Sequence, residues 1–222
     1  MKEDFSGLLE SAAKLQTVIT DAVLVGGTAA AIHAGHRFSQ DHDHVVRDLK
    51  NRYRALDDAL ATMPGWKKSS RASRPPMTIM GTLDGFQAGL RNLRREKALE
   101  VEKVILPSGG TVVVPTLPET LRIKTYLVMS RNQVRDYLDV AALSNTFGIT
   151  RSGDVLRELD DYYGADSTTG SPVLTETLAL LFHPDPRDAD VIDEIPGYKG
   201  IDPSWNWERV ITVCKKIAEA AS

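Results

Sequence analysis

The sequence predicts an α+β fold: a small mixed sheet with helices, followed by a helical C-terminal half. Three observations carry this. Short apolar, strand-like runs alternate with helical segments up to about Pro115, and after that the apolar spacing is helical. Gly and Pro pairs such as Gly26-Gly27, Pro64-Gly65 and Gly109-Gly110 punctuate the first half. The chain has 222 residues, 42% hydrophobic and 26% charged, enough to bury a core without disulfide or metal staples. The expected division is a mixed domain over 1–115 and a helical domain over 116–222.

The elements follow in order. Phe5, Leu8, Leu9, Ala12, Leu15 and Ile19 recur at helical spacing and predict a helix over about 5–19. Ala22-Val23-Leu24-Val25 reads as a buried strand ended by Gly26-Gly27, and the alanine-rich 28–34 as a helix. Residues 41–46 are strand-like. Leu49, Tyr53, Leu56 and Leu60 share one face of a helix over 47–63, stopped by Pro64-Gly65. The basic, Ser- and Pro-containing 67–76 reads as an exposed loop. Strands are expected over 77–82, 85–93, 99–106 and 111–114, with Pro107-Ser108-Gly109-Gly110 as a hairpin turn. Thr116 and Glu119 fit a capping box that opens a helix to about Met129. A second helix is expected over 132–147, closed by Gly148. Helical pieces follow, broken at Gly170-Ser171-Pro172 and near His183, with a last helix over 205–221.

Composition excludes several classes. No run approaches the roughly 20 apolar residues of a membrane span, so no membrane partner is expected. The first residues carry acids and lack the apolar stretch of a signal peptide. Cys214 is the single cysteine, which excludes an internal disulfide framework and fits a cytoplasmic protein. The net charge of −3 argues against a DNA-coating protein. That charge is segregated: residues 47–103 hold 13 basic and 7 acidic groups, and residues 152–222 hold 6 basic and 14 acidic. A basic face for a polyanion is one reading of this, and uneven solvated helices the other.

The chemistry concentrates between Val25 and Asp43. In a strand, Asp41 and Asp43 point the same way, and two carboxylates on one face repel unless a cation sits between them. Hard oxygen ligands at this spacing suit Mg²⁺, which keeps waters and takes substrate phosphates as its remaining ligands. Gly26-Gly27 opens a helix whose bare N–H groups form an anion site. Together the two features point to nucleoside triphosphate chemistry. Four of the five histidines lie between His33 and His44. His33 and His36 are three apart, and His42 and His44 share a strand face, which leaves a zinc site as a rival reading.

The stretch LVGGTAAAIHAGHRFSQDHD resembles the AbiEii/MenT-type nucleotidyltransferase toxins, within the polymerase-beta-like nucleotidyltransferase superfamily. That family usually shows Gly-Gly-Thr-Ala and then His-Arg-x-Ser-x-Asp-x-Asp. The run VPTLPETLRIKTYLVMSRNQVRDYLDVAAL resembles the family's later block, with Lys124, Arg131, Asp136 and Asp139 at its charged positions. The resemblance covers about 23–143. It implies a nucleotidyltransferase-type sheet and a toxin that transfers NMP from an NTP to the 3′ end of tRNA, releasing pyrophosphate and blocking translation. It also implies a partner antitoxin protein and a need for Mg²⁺, with Mn²⁺ as the substitute. Asp41 and Asp43 would hold metal, two ions in the expected scheme. Gly26, Gly27 and Ser39 would contact the triphosphate, and Lys124 its phosphates. Asp139 would orient Lys124 or the nucleotide.

Other outcomes stay open. The acceptor can be a protein hydroxyl or a small molecule such as an antibiotic, or the chain can be a non-catalytic RNA- or partner-binding module. Two departures from the superfamily stand out. His42 occupies a usually apolar position, so one strand face is expected to open to solvent. The third carboxylate is not evident, with Asp84, Glu100 and Glu102 as candidates. Arg91, Arg94 and Arg95 are expected to meet an RNA phosphate backbone. Read without the family, Lys124 and Asp139 are surface charges, and Trp205 and Trp207 anchor the last helix.

Overall fold

The protein is described by a computed structural model over residues 2–167 and 170–222. Two compact units account for it: 1–29 with 39–116, and 30–38 with 117–222. The second unit thus takes in 30–38 as well as the chain after Thr116. Helix α2 (Gly26–Ala34) begins in the first unit and ends in the second.

The first unit is built on a mixed sheet. Its strands are β1 (Val23–Val25), β2 (Asp41–Val46), β3 (Trp66–Lys68), β4 (Thr78–Leu83) and β5 (Phe86–Asn92), in the order β1-β2-β5-β4-β3. β2 and β5 run parallel, and the other neighbours are antiparallel. Period-two burial makes these strands: Ile79, Gly81 and Leu83 turn inward along β4, and His42, His44 and Val46 along β2. Leu15 and Ile19, from α1 (Lys2–Val18) and the turn after it, meet Val46, Ile79, Leu83 and Leu90 in one buried cluster. Leu49, Leu56 and Leu60 of α3 (Leu49–Ala61) join the same cluster.

Asp84 and Gly85 join β4 to β5 with φ of 50° and 90°. Two positive-φ residues form the turn whose twist matches paired strands, and Asp-Gly suits it. The expected loop from residue 67 begins instead as a strand: Trp66–Lys68 extends the sheet edge. That edge needs Gly81, since a Cβ there would lie 2.5 Å from the Lys67 carbonyl oxygen. A second, two-stranded sheet pairs β6 (Val101–Ile105) with β7 (Thr111–Pro115). The Gln16 side-chain amide brackets β7, donating to Val113 O at 2.9 Å and accepting from Val113 N at 2.7 Å.

The second unit contains α4 (Leu117–Arg131), α5 (Val134–Phe147), α6 (Ile149–Arg157), α7 (Leu159–Tyr163), α8 (Val173–Phe182) and α9 (Trp207–Ala221). Short 3₁₀ segments cover Gly164–Asp166 and Ala189–Gly197. Leu121, Tyr137, Leu138, Leu156, Leu181, Val210 and Ile217 centre its core. Gly148, with φ of 100°, separates α5 from α6. α9 starts later than position 205 because the Asn206 side chain caps it, accepting from Arg209 N at 2.8 Å. Trp205 stays buried beside that start and Trp207 stacks edge-on to Tyr137, so both act as anchors.

Candidate active site

The strand period decides the first cluster, which lies wholly in the first unit. Along β2, Asp41 is exposed and Asp43 half-buried, while His42 and His44 turn inward. Ser39 Oγ donates to Asp41 Oδ1 at 2.6 Å, and Thr28 Oγ1 donates to the Asp41 carbonyl at 2.6 Å. Asp43 is the register partner of Val25, the last residue before Gly26-Gly27 opens α2. A Cβ on Gly26 would come within 3.9 Å of the Asp43 Cβ, and the Gly26 φ of 76° is one that L side chains rarely adopt. The bare N-terminus of α2 therefore stands beside Asp43. On its other side Asp43 pairs with Gly89, where a Cβ would approach Asp43 Oδ1 to 2.9 Å. Gly89 leaves that space to the carboxylate.

This donor set fits one hard divalent cation. Two carboxylates share a strand face, and water and phosphate oxygens can complete the shell. Among the described residues, no group of three His, Cys, Asp or Glu side chains is placed to hold a metal. None of the expected third acids therefore completes the pair. Asp84 sits on the β4–β5 turn, bonded to Lys14 Nζ at 2.7 Å. The Glu100 carbonyl accepts from Thr116 N at 2.9 Å, and Glu102 pairs with Val114 in the β6–β7 hairpin. The register positions on β5 beside Asp41 and Asp43 hold Gln87 and Gly89 instead of an acid. Among the described residues of this unit, the carboxylates for a two-ion site are not assembled.

His42 and His44 correct two expectations. The face they share is not open to solvent, and both rings are fully buried. The Ser11 hydroxyl donates to Leu83 O at 3.1 Å, so His42 Nε2 must donate to Ser11 Oγ, also at 3.1 Å. Burial pushes the His42 ring down to about 4, against the pull of Asp41 and Asp84. Burial, with His42 alongside, holds His44 well below the usual histidine range. These rings are neutral core residues, which takes His42 and His44 out of the zinc reading, and among the described residues no group of three His, Cys, Asp or Glu forms around His33 or His36.

A second cluster lies wholly in the second unit. Asp139 is fully buried and accepts from three side chains. His36 Nε2 lies 2.8 Å and Arg37 Nε 2.9 Å from Oδ1. Arg37 Nη2 lies 3.0 Å and Lys124 Nζ 2.6 Å from Oδ2. Lys124 also reaches Asp136 Oδ1 at 3.3 Å. Burial pushes the Asp139 carboxyl up, but Arg37, Lys124 and His36 outweigh it and hold the group well below the usual carboxylate range. Lys124 and Asp139 are thus buried partners, not surface charges. The motif-based reading gave no role to His36 and Arg37, although the Gly35-His36-Arg37 run preceding Ser39 was the signal that could have found them.

The expected RNA-contacting arginines divide. Arg91 faces Asp43, with Nε 3.4 Å from Oδ1 and Nη2 3.4 Å from Oδ2. Arg94 is exposed. Arg95 is buried and spends its guanidinium on a loop, donating to Lys97 O at 2.9 Å and Ala98 O at 3.0 Å. That placement does not offer Arg95 to a phosphate backbone.

Comparison with solved structures decides the fold. MenT4, a nucleotidyltransferase toxin from Mycobacterium tuberculosis H37Rv, superposes with a TM-score of 0.64 at 16% identity, covering 98% of this chain and 84% of that one. The chain has a nucleotidyltransferase fold. A nucleotidyltransferase-like antigen from Paracoccidioides brasiliensis agrees, with a TM-score of 0.55 at 16% identity over 93% of this chain and 97% of that one. No known family model matches. By sequence, the chain is 30% identical over 241 residues to the heme uptake protein MmpL11 of Mycobacterium tuberculosis, spanning 98% of this chain. It is 31% identical over 128 residues to MmpL11 of Mycolicibacterium smegmatis, a mycolic acid-containing lipids exporter, spanning 58% of this chain. The chain spans 23% of the length of the first relative and 13% of the second. Among the described residues no helix is long and apolar enough to cross a membrane.

Proposed function

We propose that the chain transfers a nucleoside monophosphate from a nucleoside triphosphate to a hydroxyl, releasing pyrophosphate. One observation carries this: in a nucleotidyltransferase fold, Asp41 and Asp43 share the outer face of β2 beside the glycine-opened start of α2. The acceptor oxygen bonds to the α-phosphorus as the bond from that phosphorus to the bridging oxygen breaks, and the hydroxyl proton leaves to solvent. Bound at Asp41 and Asp43, Mg²⁺, or Mn²⁺ in its place, supplies charge neutralisation at the phosphates. Ser39 orients Asp41 through its hydroxyl, and the free N–H groups at Gly26 and Gly27 hold phosphate oxygens. Lys124 is the proposed phosphate-binding cation of the second unit, positioned by Asp139.

The 3′ end of tRNA is the acceptor we propose, with translation arrest as the outcome, an antitoxin protein as neutralising partner and the cytoplasm as the site of action. The basic excess over 47–103 and the fold shared with a named nucleotidyltransferase toxin support this choice. The test is incubation with Mg²⁺, each α-labelled triphosphate and candidate acceptors. Label at the tRNA 3′ end supports the reading. Label in a protein or an aminoglycoside keeps the chemistry and changes the acceptor. No label on any acceptor makes the chain a binding module.

A further inference from the structure

We infer that Arg91 is a built-in counter-ion of the proposed metal site, competing with a divalent cation for the Asp43 carboxylate. This rests on the reading of Asp41 and Asp43 as metal ligands. The parallel register sets Asp43 opposite Gly89, so Arg91, two residues further along β5, lies on the same sheet face. Its fork faces both carboxylate oxygens, Nε to Oδ1 and Nη2 to Oδ2, each at 3.4 Å. Gly89 has no side chain to part them. Among the described residues, Nε has no hydrogen-bond acceptor despite being screened from solvent.

The pair is built to be exchanged. Charge-assisted bonds between arginine and carboxylate close to about 2.7–2.9 Å, and this one stands longer. The Arg91 side chain is 41% exposed and that of Asp43 27%, so solvent screens the attraction. The two aspartates differ in this respect. Asp41 is bonded to the neutral Ser39 hydroxyl, while Asp43 faces a full positive charge. A dication arriving at Asp43 must part it from the guanidinium and is repelled by that guanidinium while it stays. Arg91 therefore weakens metal binding by the protein alone and keeps the carboxylate neutralised until a stronger cation arrives.

The test is a titration with Mn²⁺ alone, reading free Mn²⁺ by electron paramagnetic resonance, on the wild type, Arg91→Gln, Arg91→Lys and Asp43→Asn. Thermal melting serves as the folding control. Arg91→Gln is expected to bind Mn²⁺ about fivefold more tightly or better, from loss of a unit charge next to the site. Arg91→Lys, which keeps the charge without the fork, should fall between it and the wild type, and it carries the test if the glutamine variant does not fold. Asp43→Asn should lose binding. Equal Mn²⁺ affinity in the wild type and Arg91→Gln, lost in Asp43→Asn, overturns the role of Arg91 and leaves the metal site standing. No Mn²⁺ binding by either the wild type or Arg91→Gln overturns both.

Discussion

A buried carboxylate with three donors behaves differently from an exposed one, and Asp139 and Lys124 separate on that basis. Removing Asp139 takes the buried Arg37 guanidinium's carboxylate away and leaves Lys124 with Asp136 at 3.3 Å, so Asp139→Ala should lower stability by about 3–5 kcal/mol. Lost activity in that variant would say little about catalysis. Lys124→Met leaves Asp139 with His36 and Arg37 but takes this cation from the buried Asp136, so a lower melting temperature should accompany a marked weakening of triphosphate binding by the folded variant. Calorimetric titration with a triphosphate checks this, and undiminished affinity would overturn the proposed phosphate-binding role of Lys124. His42 sets a pH dependence of stability. Its folded value near 4 lies below the unfolded 6.5, so between these values the unfolded chain binds more protons and stability falls as pH falls. His42 should contribute about 3 kcal/mol of this loss by pH 4, buried His44 adds to it in the same window, and Asp139 begins to add its own near pH 4. Melting temperature measured from pH 7 to 4 reads this, and His42→Gln should flatten the slope.

At the level of elements, close approaches matter more than propensity. Gly153 of α6 lies against α9, where a Cβ would come within 2.6 Å of the Ala220 carbonyl oxygen. Gly153→Ala must push backbone aside and should cost about 1–3 kcal/mol, seen as a lower denaturation midpoint. Gly148→Ala, where a Cβ meets nothing within 4 Å, should cost only the strain of its φ of 100°. Most elements were legible because period-two and helical spacing are local. The shared face of Asp41 and Asp43 needed no tertiary knowledge for the same reason. Lys67 and Lys68 of β3 read as the start of a loop because an edge strand with two exposed lysines lacks the apolar alternation of a half-buried one. The pair between Arg91 and Asp43 was illegible because it depends on the parallel β2–β5 register. His36 and Arg37 meet Asp139 across more than 100 residues, a distance no local pattern spans. The buried histidines misled because a neutral imidazole fills a core position as an apolar side chain does.

At the scale of the whole molecule, the basic excess over 47–103 gives a salt-dependent prospect for RNA. Lys67, Arg71 and Arg94 are exposed, whereas Arg95 is tied to its own loop. Each phosphate neutralised releases counterions, so tRNA binding should weaken steeply with salt, and Arg71→Ala with Arg94→Ala should flatten that slope. An unchanged slope in the double variant would assign those charges to solvation alone. The carboxylate pair on β2 is tested most directly by transfer of α-labelled nucleotide to tRNA in Mg²⁺, comparing the wild type with Asp41→Ala and Asp43→Ala. The expected result is label at the tRNA 3′ end with the wild type and none with either variant, while both variants melt as the wild type does. Label transferred at a near-normal rate by either folded variant would contradict the site, and a folded wild type that labels no acceptor with any triphosphate would contradict the activity.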